Sequence, residues 1–403
     1  MNKSNHFSGQ PIFSQVISLI PRYQIRQLAK TFKTDYYYKK FKTYEHLITM
    51  LYAVYSKCNS IREVTTGLLA SGGKLNHLGM GYFPRKSTLS DANGKRNAEV
   101  FEAIYGLLYK KLAKYLPDSR KKKKPSKLYI FDSTTISLFQ EILKSAGKNP
   151  VNGKRKGGIK AHTLIKADED VPKFVRFTAS AANDSPFMKK VNLPEGSIVV
   201  FDKGYNDYKI YQQWTQQKIS FVTRLKKTAS CRIEKQRKVS EKQRSKGVLK
   251  DENILLGHHS HDNVTRVKTR IVTYYDTDSG KTFQFLTNNF RLAPSSIADI
   301  YEKRWQIESL FKRIKQNYPL KYFLGDNQNA IKIQIWTALI ADLLLKYLRR
   351  QVKRKWAFSN LVSMIRLHSM NYIHLYSFLE DPDKAIRAVH KQKHDFALPL
   401  FPT

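Results

Sequence analysis

Residues 301–318 read YEKRWQIESLFKRIKQNY. Taken as one helix of about 3.6 residues per turn, this stretch puts Tyr301, Arg304, Glu308, Lys312 and Lys315 on one stripe, and Ile307, Leu310, Phe311 and Ile314 on another. The apolar stripe is predicted to face a core. The polar stripe sets one carboxylate among basic and phenolic groups. It reads either as a solvated face with i,i+4 ion pairs, such as Glu308 with Lys312, or as part of a site that handles an anion.

Composition weighs on that choice. The chain has 403 residues, 41% of them hydrophobic, enough for a well-buried core spread over roughly two or three domains. Lys and Arg number 72 against 32 Asp and Glu, a formal net charge of +40. So much like charge calls for a polyanionic partner, and nucleic acid is the leading expectation. A membrane is not expected: the most apolar helical segment, IWTALIADLLLKYL (335–348), is interrupted by Asp342 and is too short to span a bilayer. Cys58 and Cys231 lie far apart with no CxxC spacing, so neither a disulfide framework nor a cysteine zinc site is indicated. With no apolar run behind Lys3 to act as a secretory signal, a reducing cytoplasm is expected.

Helical patterns cover 13–19, 22–32, 43–57, 60–70 and 90–116, with turns at Pro21, Asn59 and Gly72-Gly73. The pair over 43–70 has the length of a helix-turn-helix, with RKSTLSDANGKR (85–96) as a candidate reading segment; a plain packing unit is the other reading. RKKKK (120–124) before Pro125 marks a boundary. Strands are predicted over 127–134, 157–166, 173–180 and 197–204, with a helix capped by Asp184 before the fourth. Residues 219–290 are β-rich and basic, with strands near 219–226, 264–275 and 281–290 around the polar tract EKQRKVSEKQRSKG. Ser296 with Asp299 fits a capping box for the helix that carries Glu308. The expected division is a helical, DNA-binding 1–120, a core over 121–218 and 293–350, a β-rich insertion over 219–292, and a helical 351–403.

Asp132 follows the apolar run LYIF and Asp202 follows IVVF. Each alone reads as a turn cap. Two matching strand ends with Glu308 suggest instead three converging carboxylates, which repel unless a cation sits among them. Oxygen-only ligands point to Mg²⁺, or Mn²⁺ in substitution, and two ions about 3.5–4 Å apart serve phosphodiester chemistry. Arg304 can then grip a phosphate bidentately and Lys315 act as a point charge, with Tyr301 and Lys312 completing the DNA-contacting stripe.

At these residues the chain resembles the DDE transposases of bacterial insertion sequences, specifically the insertion-sequence-4 group. The group's signature of Tyr, two residues, Arg, three residues, Glu, six residues, Lys is matched by Tyr301, Arg304, Glu308 and Lys315. FDSTTISL and FDKGYNDYKIY are similar to the first and second aspartate regions, with Lys203 standing where many relatives have Arg. The resemblance covers 125–325 well and the N-terminal helices more loosely. It implies an α/β fold, a ribonuclease-H-like core with the β insertion before the last catalytic helix. It also implies cut-and-paste transposition, in which the element's terminal repeats are cut by hydrolysis and the 3′-hydroxyl is joined to double-stranded target DNA by a dimer in the synaptic complex, in a bacterial, nucleoid-associated setting. The competing readings are a structure-specific nuclease on the same core and a catalytically inactive DNA-binding regulator.

Other candidates are weaker. His258, His259 and His261 in GHHSHD can bind metal but read as a solvated turn. His162 reads as a structural histidine, and Trp214 and Trp305 as core residues rather than stacking platforms for an unpaired base.

Overall fold

The computed structural model describes residues 9–117, 127–137, 158–179, 185–257 and 265–394. The chain forms two compact units, one of 117–312 and one of 1–116 with 313–403. The 120–124 run, Asp184 and His258, His259 and His261 lie outside the described residues.

The second of these units opens with α1 (Ile12–Ile17), α2 (Arg22–Thr31), α3 (Thr43–Ser56), α4 (Ile61–Ala70), α5 (Lys86–Lys95) and α6 (Glu99–Leu112). Helix α3 is buried along nearly its whole length. Lys57 closes it in the left-handed region (φ 57°), and the Ser60 side chain caps α4 by accepting from the Glu63 amide. The helix expected over 90–116 is in fact two. Arg96 breaks it by turning extended (φ −72°, ψ 125°). Its buried guanidinium donates to the Phe41 carbonyl at 2.6 Å and lies 4.4 Å from the Tyr38 ring centre, so a long-range polar anchor outweighs local helix propensity.

The other unit is built on one sheet. Its elements are β1 (Leu128–Ser137), β2 (Gly158–Lys166), β3 (Pro172–Ala179), α7 (Ser185–Met188), β4 (Ile198–Phe201), α8 (Tyr208–Gln216), β5 (Ser220–Arg224), β6 (Cys231–Gln236), α9 (Glu241–Arg244), β7 (Val248–Leu256), β8 (Val267–Asp276), β9 (Lys281–Thr287) and α10 (Pro294–Glu302), followed by α11 (Trp305–Asn317). Among the described residues nine strands form one sheet in the order β3-β2-β1-β4-β5-β9-β8-β7-β6. Strands β1, β4 and β5 run parallel, and the other pairings are antiparallel.

Several expectations change here. Strand β1 runs three residues past 134, so Asp132 lies within it rather than at its end. Strand β5, read as the start of the insertion, pairs in parallel with β4. Strands β6 and β7 are additional; the charged CRIEKQ of β6 sits at the sheet edge and is mostly exposed, where no apolar alternation is required. Helix α10 begins at Pro294 rather than at a Ser296 cap, because Pro at the first turn presets φ, and the Ser295 amide donates to Gln243 Oε1 at 2.9 Å. The single helix expected over 301–318 is interrupted by a turn at Lys303–Arg304.

The two faces of the sheet follow from strand alternation. Tyr129, Phe131, Val199, Phe201 and Phe221 point into one cluster, where Phe131 and Phe201 stack at 4.7 Å and Trp214 is buried as expected. Leu128, Val200 and Val222 point into the other, against Ile297, Ala298 and Tyr301 of α10. Helix α12 (Gln328–Gln351), placed with the core from sequence, packs on α3, α5 and α6 of the helical unit. Its Asp342 is fully buried and paired with Arg313 at 3.0 Å, and no described helix is long and apolar enough to cross a membrane. Helices α13 (Phe358–Leu367), α14 (Leu375–Glu380) and α15 (Pro382–His394) follow.

On β8 the fully buried Arg270 donates to both oxygens of Asp251 on β7, at 2.7 and 2.8 Å. Its Nη1 also donates to the carbonyls of Asn289 and Leu292, at 3.1 and 2.7 Å, which pins the link from β9 into α10. Removing one partner leaves a buried charge uncompensated. Asp251→Ala is therefore predicted to lower the unfolding free energy by about 3 kcal/mol in urea titration; a loss under about 1 kcal/mol would mean that Arg270 finds water or other acceptors at no cost.

Candidate active site

The parallel register pairs Phe131 with Phe201, so the next residues, Asp132 and Asp202, stand side by side on neighbouring strands. By alternation both share the face of Leu128, Val200 and Val222, the face covered by α10. Arg224, two residues past Val222 on β5, shares it as well. Tyr301 lies in the last turn of α10; the chain then turns through Lys303 and Arg304 and enters α11, where Glu308 lies in the first turn while Ile307 and Leu310 are buried.

Arginines hold the three carboxylates. Arg304 Nη1 donates to Asp132 Oδ2 at 3.0 Å, and its Nη2 pairs with Glu308 Oε1 at 2.7 Å. Arg224 Nη2 donates to Asp202 Oδ1 at 3.2 Å. The remaining Asp oxygens accept from backbone amides, Asp132 Oδ1 from Ser133 at 2.8 Å and Asp202 Oδ2 from Gly204 at 3.2 Å. Both guanidinium carbons lie over the Tyr301 ring, Arg304 at 5.6 Å and Arg224 at 5.7 Å, and Phe285 tilts against that ring at 4.9 Å.

Burial pushes the Asp132 carboxyl up to about 6; the Ser133 amide and Arg304 oppose the rise, while Asp202 and Glu308 add to it. At Asp202 burial also acts upward, but the Gly204 amide, Arg224 and Arg304 outweigh it and the net shift is downward. The opposite shifts of two neighbouring aspartates reflect one deeply set carboxyl that feels two others and one more open carboxyl that feels two arginines.

Of the residues singled out from sequence, Asp132, Asp202, Tyr301, Arg304 and Glu308 come together. Lys312 and Lys315 follow on α11 and are exposed. His162 is buried and structural, with Nε2 2.8 Å from Thr178 Oγ1 and its ring stacked on Phe187. Trp305, expected in the core, is 65% exposed, because it lies off the apolar stripe of Ile307, Leu310 and Ile314, and it lines a cavity with Tyr274, Phe283, Phe285, Tyr301 and Arg304. Arg224 was missed; in ISFVTRLK it reads as an ordinary basic residue at a strand end, and only the pairing of β5 with β4 brings it to Asp202.

The donor set is oxygen-only and suits a hard divalent cation. As the side chains stand, no described group of three or more His, Cys, Asp or Glu residues is gathered closely enough to hold one, since a guanidinium fills the space between Asp132 and Glu308. The residues suit a cation in type and number.

A family model for the transposase DDE domain matches residues 123–344, more than half of the chain and all of this site. The chain belongs to the DDE transposase family. A second model, described only as a domain of unknown function, matches residues 8–81. The transposase is 31% identical to a protein named as transposase y4zB of Sinorhizobium fredii over 66% of its own length and 72% of that protein. It is 28% identical to one named for insertion sequence IS4SA of Synechocystis, over 65% and 71%, and 27% identical to one named for IS5377 of Geobacillus stearothermophilus, over 70% and 72%. A piggyBac transposase synaptic complex with hairpin DNA aligns with a TM-score of 0.40 at 11% identity, covering 97% of this chain and 85% of that one, too distant a likeness to bear on the fold. The chain is thus a DNA transposase of insertion sequences, a divalent-metal-dependent enzyme acting on DNA.

The raised Asp132 carboxyl carries a pH signature. The folded transposase keeps that proton to about pH 6, whereas the unfolded chain releases it near 3.8. The group therefore favours folding at low pH, and the advantage is lost as pH rises through about 6. Asp132→Asn abolishes the titration. Relative to the parent protein its stability in chelator is predicted to rise by about 2–3 kcal/mol between pH 4 and pH 7.5, read by urea titration at both values; a pH-independent difference would contradict the burial of this carboxyl.

Proposed function

We propose that Asp132, Asp202 and Glu308 are the catalytic, metal-holding carboxylates of a cut-and-paste transposase, and that the sheet of β1–β5 with the helices around it is a ribonuclease-H-like core. The observation that carries this reading is the register that sets Asp132 beside Asp202, with Arg304 tying Asp132 to Glu308. The strand order β3-β2-β1-β4-β5, with β1, β4 and β5 parallel, supports the core assignment, and β6–β9 take the place of the insertion before the helix that bears Glu308.

The three carboxylates would hold two Mg²⁺ ions, with Mn²⁺ able to substitute. When bound, the ions polarise the phosphodiester and favour the attacking and leaving oxygens. The chain's own residues do the positioning. Arg304, with Arg224 beside it, presents a planar fork to the phosphate at the cut, and Lys312 and Lys315 add point charges along the strand. Tyr301 packs against both guanidiniums and fixes where they can reach. The exposed Trp305 offers a face on which an unpaired base at the cut can stack.

The substrate is double-stranded DNA, first the element's terminal inverted repeats and then the target, and the enzyme acts in the bacterial cytoplasm on nucleoid DNA. Residues 1–120 would grip DNA, 121–218 and 293–350 carry the core, 219–292 the insertion and 351–403 a helical C-terminal region. One chain has one such acid set, so two element ends call for a dimer in the synaptic complex.

Asp132→Ala, Asp202→Ala and Glu308→Ala are each predicted to lower Mg²⁺-dependent end cleavage by about 100-fold or more, several kcal/mol of transition-state stabilisation. Binding to the same end DNA should change by less than about threefold, because basic side chains on phosphates supply most of the affinity. Gel assays of cleavage and strand transfer beside mobility shifts check both; a variant that still cleaves removes its residue from the site, and cleavage without joining would favour the nuclease reading.

A further inference from the structure

We propose that Arg304 serves this site twice, as counter-ion to Asp132 and Glu308 while cations are absent and as a phosphate clamp once they enter, so that a single side chain couples cation loading to DNA loading. The inference rests on the reading of Asp132, Asp202 and Glu308 as cation ligands. It starts from occupancy. Asp132 Oδ2 and Glu308 Oε1 each contact a different nitrogen of one guanidinium, and Asp132 Oδ1 is held by the Ser133 amide. A cation that bridges Asp132 and Glu308 would compete with the guanidinium for the space between Asp132 Oδ2 and Glu308 Oε1.

Charge points the same way. Three carboxylates and two guanidiniums leave a net of −1 with all three acids ionised, so the arginines already neutralise most of the repulsion that a cation would otherwise relieve. The arginines are also incompletely satisfied where they sit: the Nε of Arg304 and the Nε of Arg224 are both buried without a hydrogen-bond partner. A guanidinium has five donors in a fork suited to a phosphate. The Tyr301 ring, 5.6 Å from Arg304 and 5.7 Å from Arg224, gives both a platform on which to pivot. Release of Arg304 by a cation frees it for phosphate, and capture of Arg304 by phosphate exposes the acids to the cation. By linkage the two effects are equal in free energy.

The test is the affinity of the DNA-free protein for Mn²⁺ alone, measured by titration calorimetry or by the electron-paramagnetic signal of free Mn²⁺. Arg304→Gln should bind Mn²⁺ about tenfold more tightly than the parent, the weight of one charge-assisted hydrogen bond that no longer has to be broken. Arg304→Lys, which keeps the charge but not the two-point bridge, should fall between them, and Asp132→Asn should lose the binding. Equal or weaker binding by Arg304→Gln, with the parent still dependent on Asp132, would overturn the exchange and make Arg304 a scaffold. Parent-like affinity in Arg304→Lys would also overturn it, reducing the effect to repulsion through space. Mn²⁺ binding that ignores Asp132→Asn would overturn the cation-site reading beneath it. Should Arg304→Gln fail to fold, Arg224→Gln, which releases a single contact to Asp202, is expected to tighten binding by about threefold, and no tightening there would again count against the exchange.

Discussion

Three carboxylates held close together in a partly dry pocket repel one another, and everything around this site answers that repulsion. Arg304 and Arg224 lie among Asp132, Asp202 and Glu308, and burial, with smaller additions from Asp202 and Glu308, still pushes the Asp132 carboxyl up to about 6. Such clusters of perturbed ionisable groups concentrate at functional sites. The elements that enforce this one are a paired sheet and a helix packed on its face. The parallel register of β1 with β4 fixes two acids, and the packing of α10 on the same face fixes the turn that delivers Arg304 and Glu308.

The sheet beyond β5 extends that support. Strands β6–β9 continue the same sheet rather than forming a separate layer, and β9 pairs Phe285 with Arg224, which places an aromatic wall behind the site. The buried Arg270, bonded to Asp251 and to the carbonyls of Asn289 and Leu292, ties β7 and β8 to the segment that enters α10. The segment that enters α10 is thus anchored to a buried ion pair on β8 and β7, the second and third strands beyond β5, by side-chain donations to its carbonyls.

Local patterns announced much of this. The apolar runs before Asp132 and Asp202 read as buried strands, and the 301–315 spacing read as a helix-borne carboxylate with basic neighbours. What the chain did not announce was long-range. Arg224 looks like any basic residue until β5 is paired with β4. The break at Arg96 depends on carbonyls more than fifty residues away. The turn at Lys303–Arg304 interrupts a pattern that is helical at every position, and from it Arg304 reaches back to Asp132. Strand β6 was hidden because an exposed edge needs no apolar alternation.

The most direct test of the central proposal is anomalous diffraction at the manganese edge from crystals of the transposase bound to DNA in Mn²⁺. Two peaks about 3.5–4 Å apart, contacted by Asp132, Asp202 and Glu308, with Arg304 turned from Asp132 onto a phosphate, are the expected result. Peaks that avoid any of the three acids, or Arg304 still bridging Asp132 and Glu308 with metal and DNA in place, would contradict it.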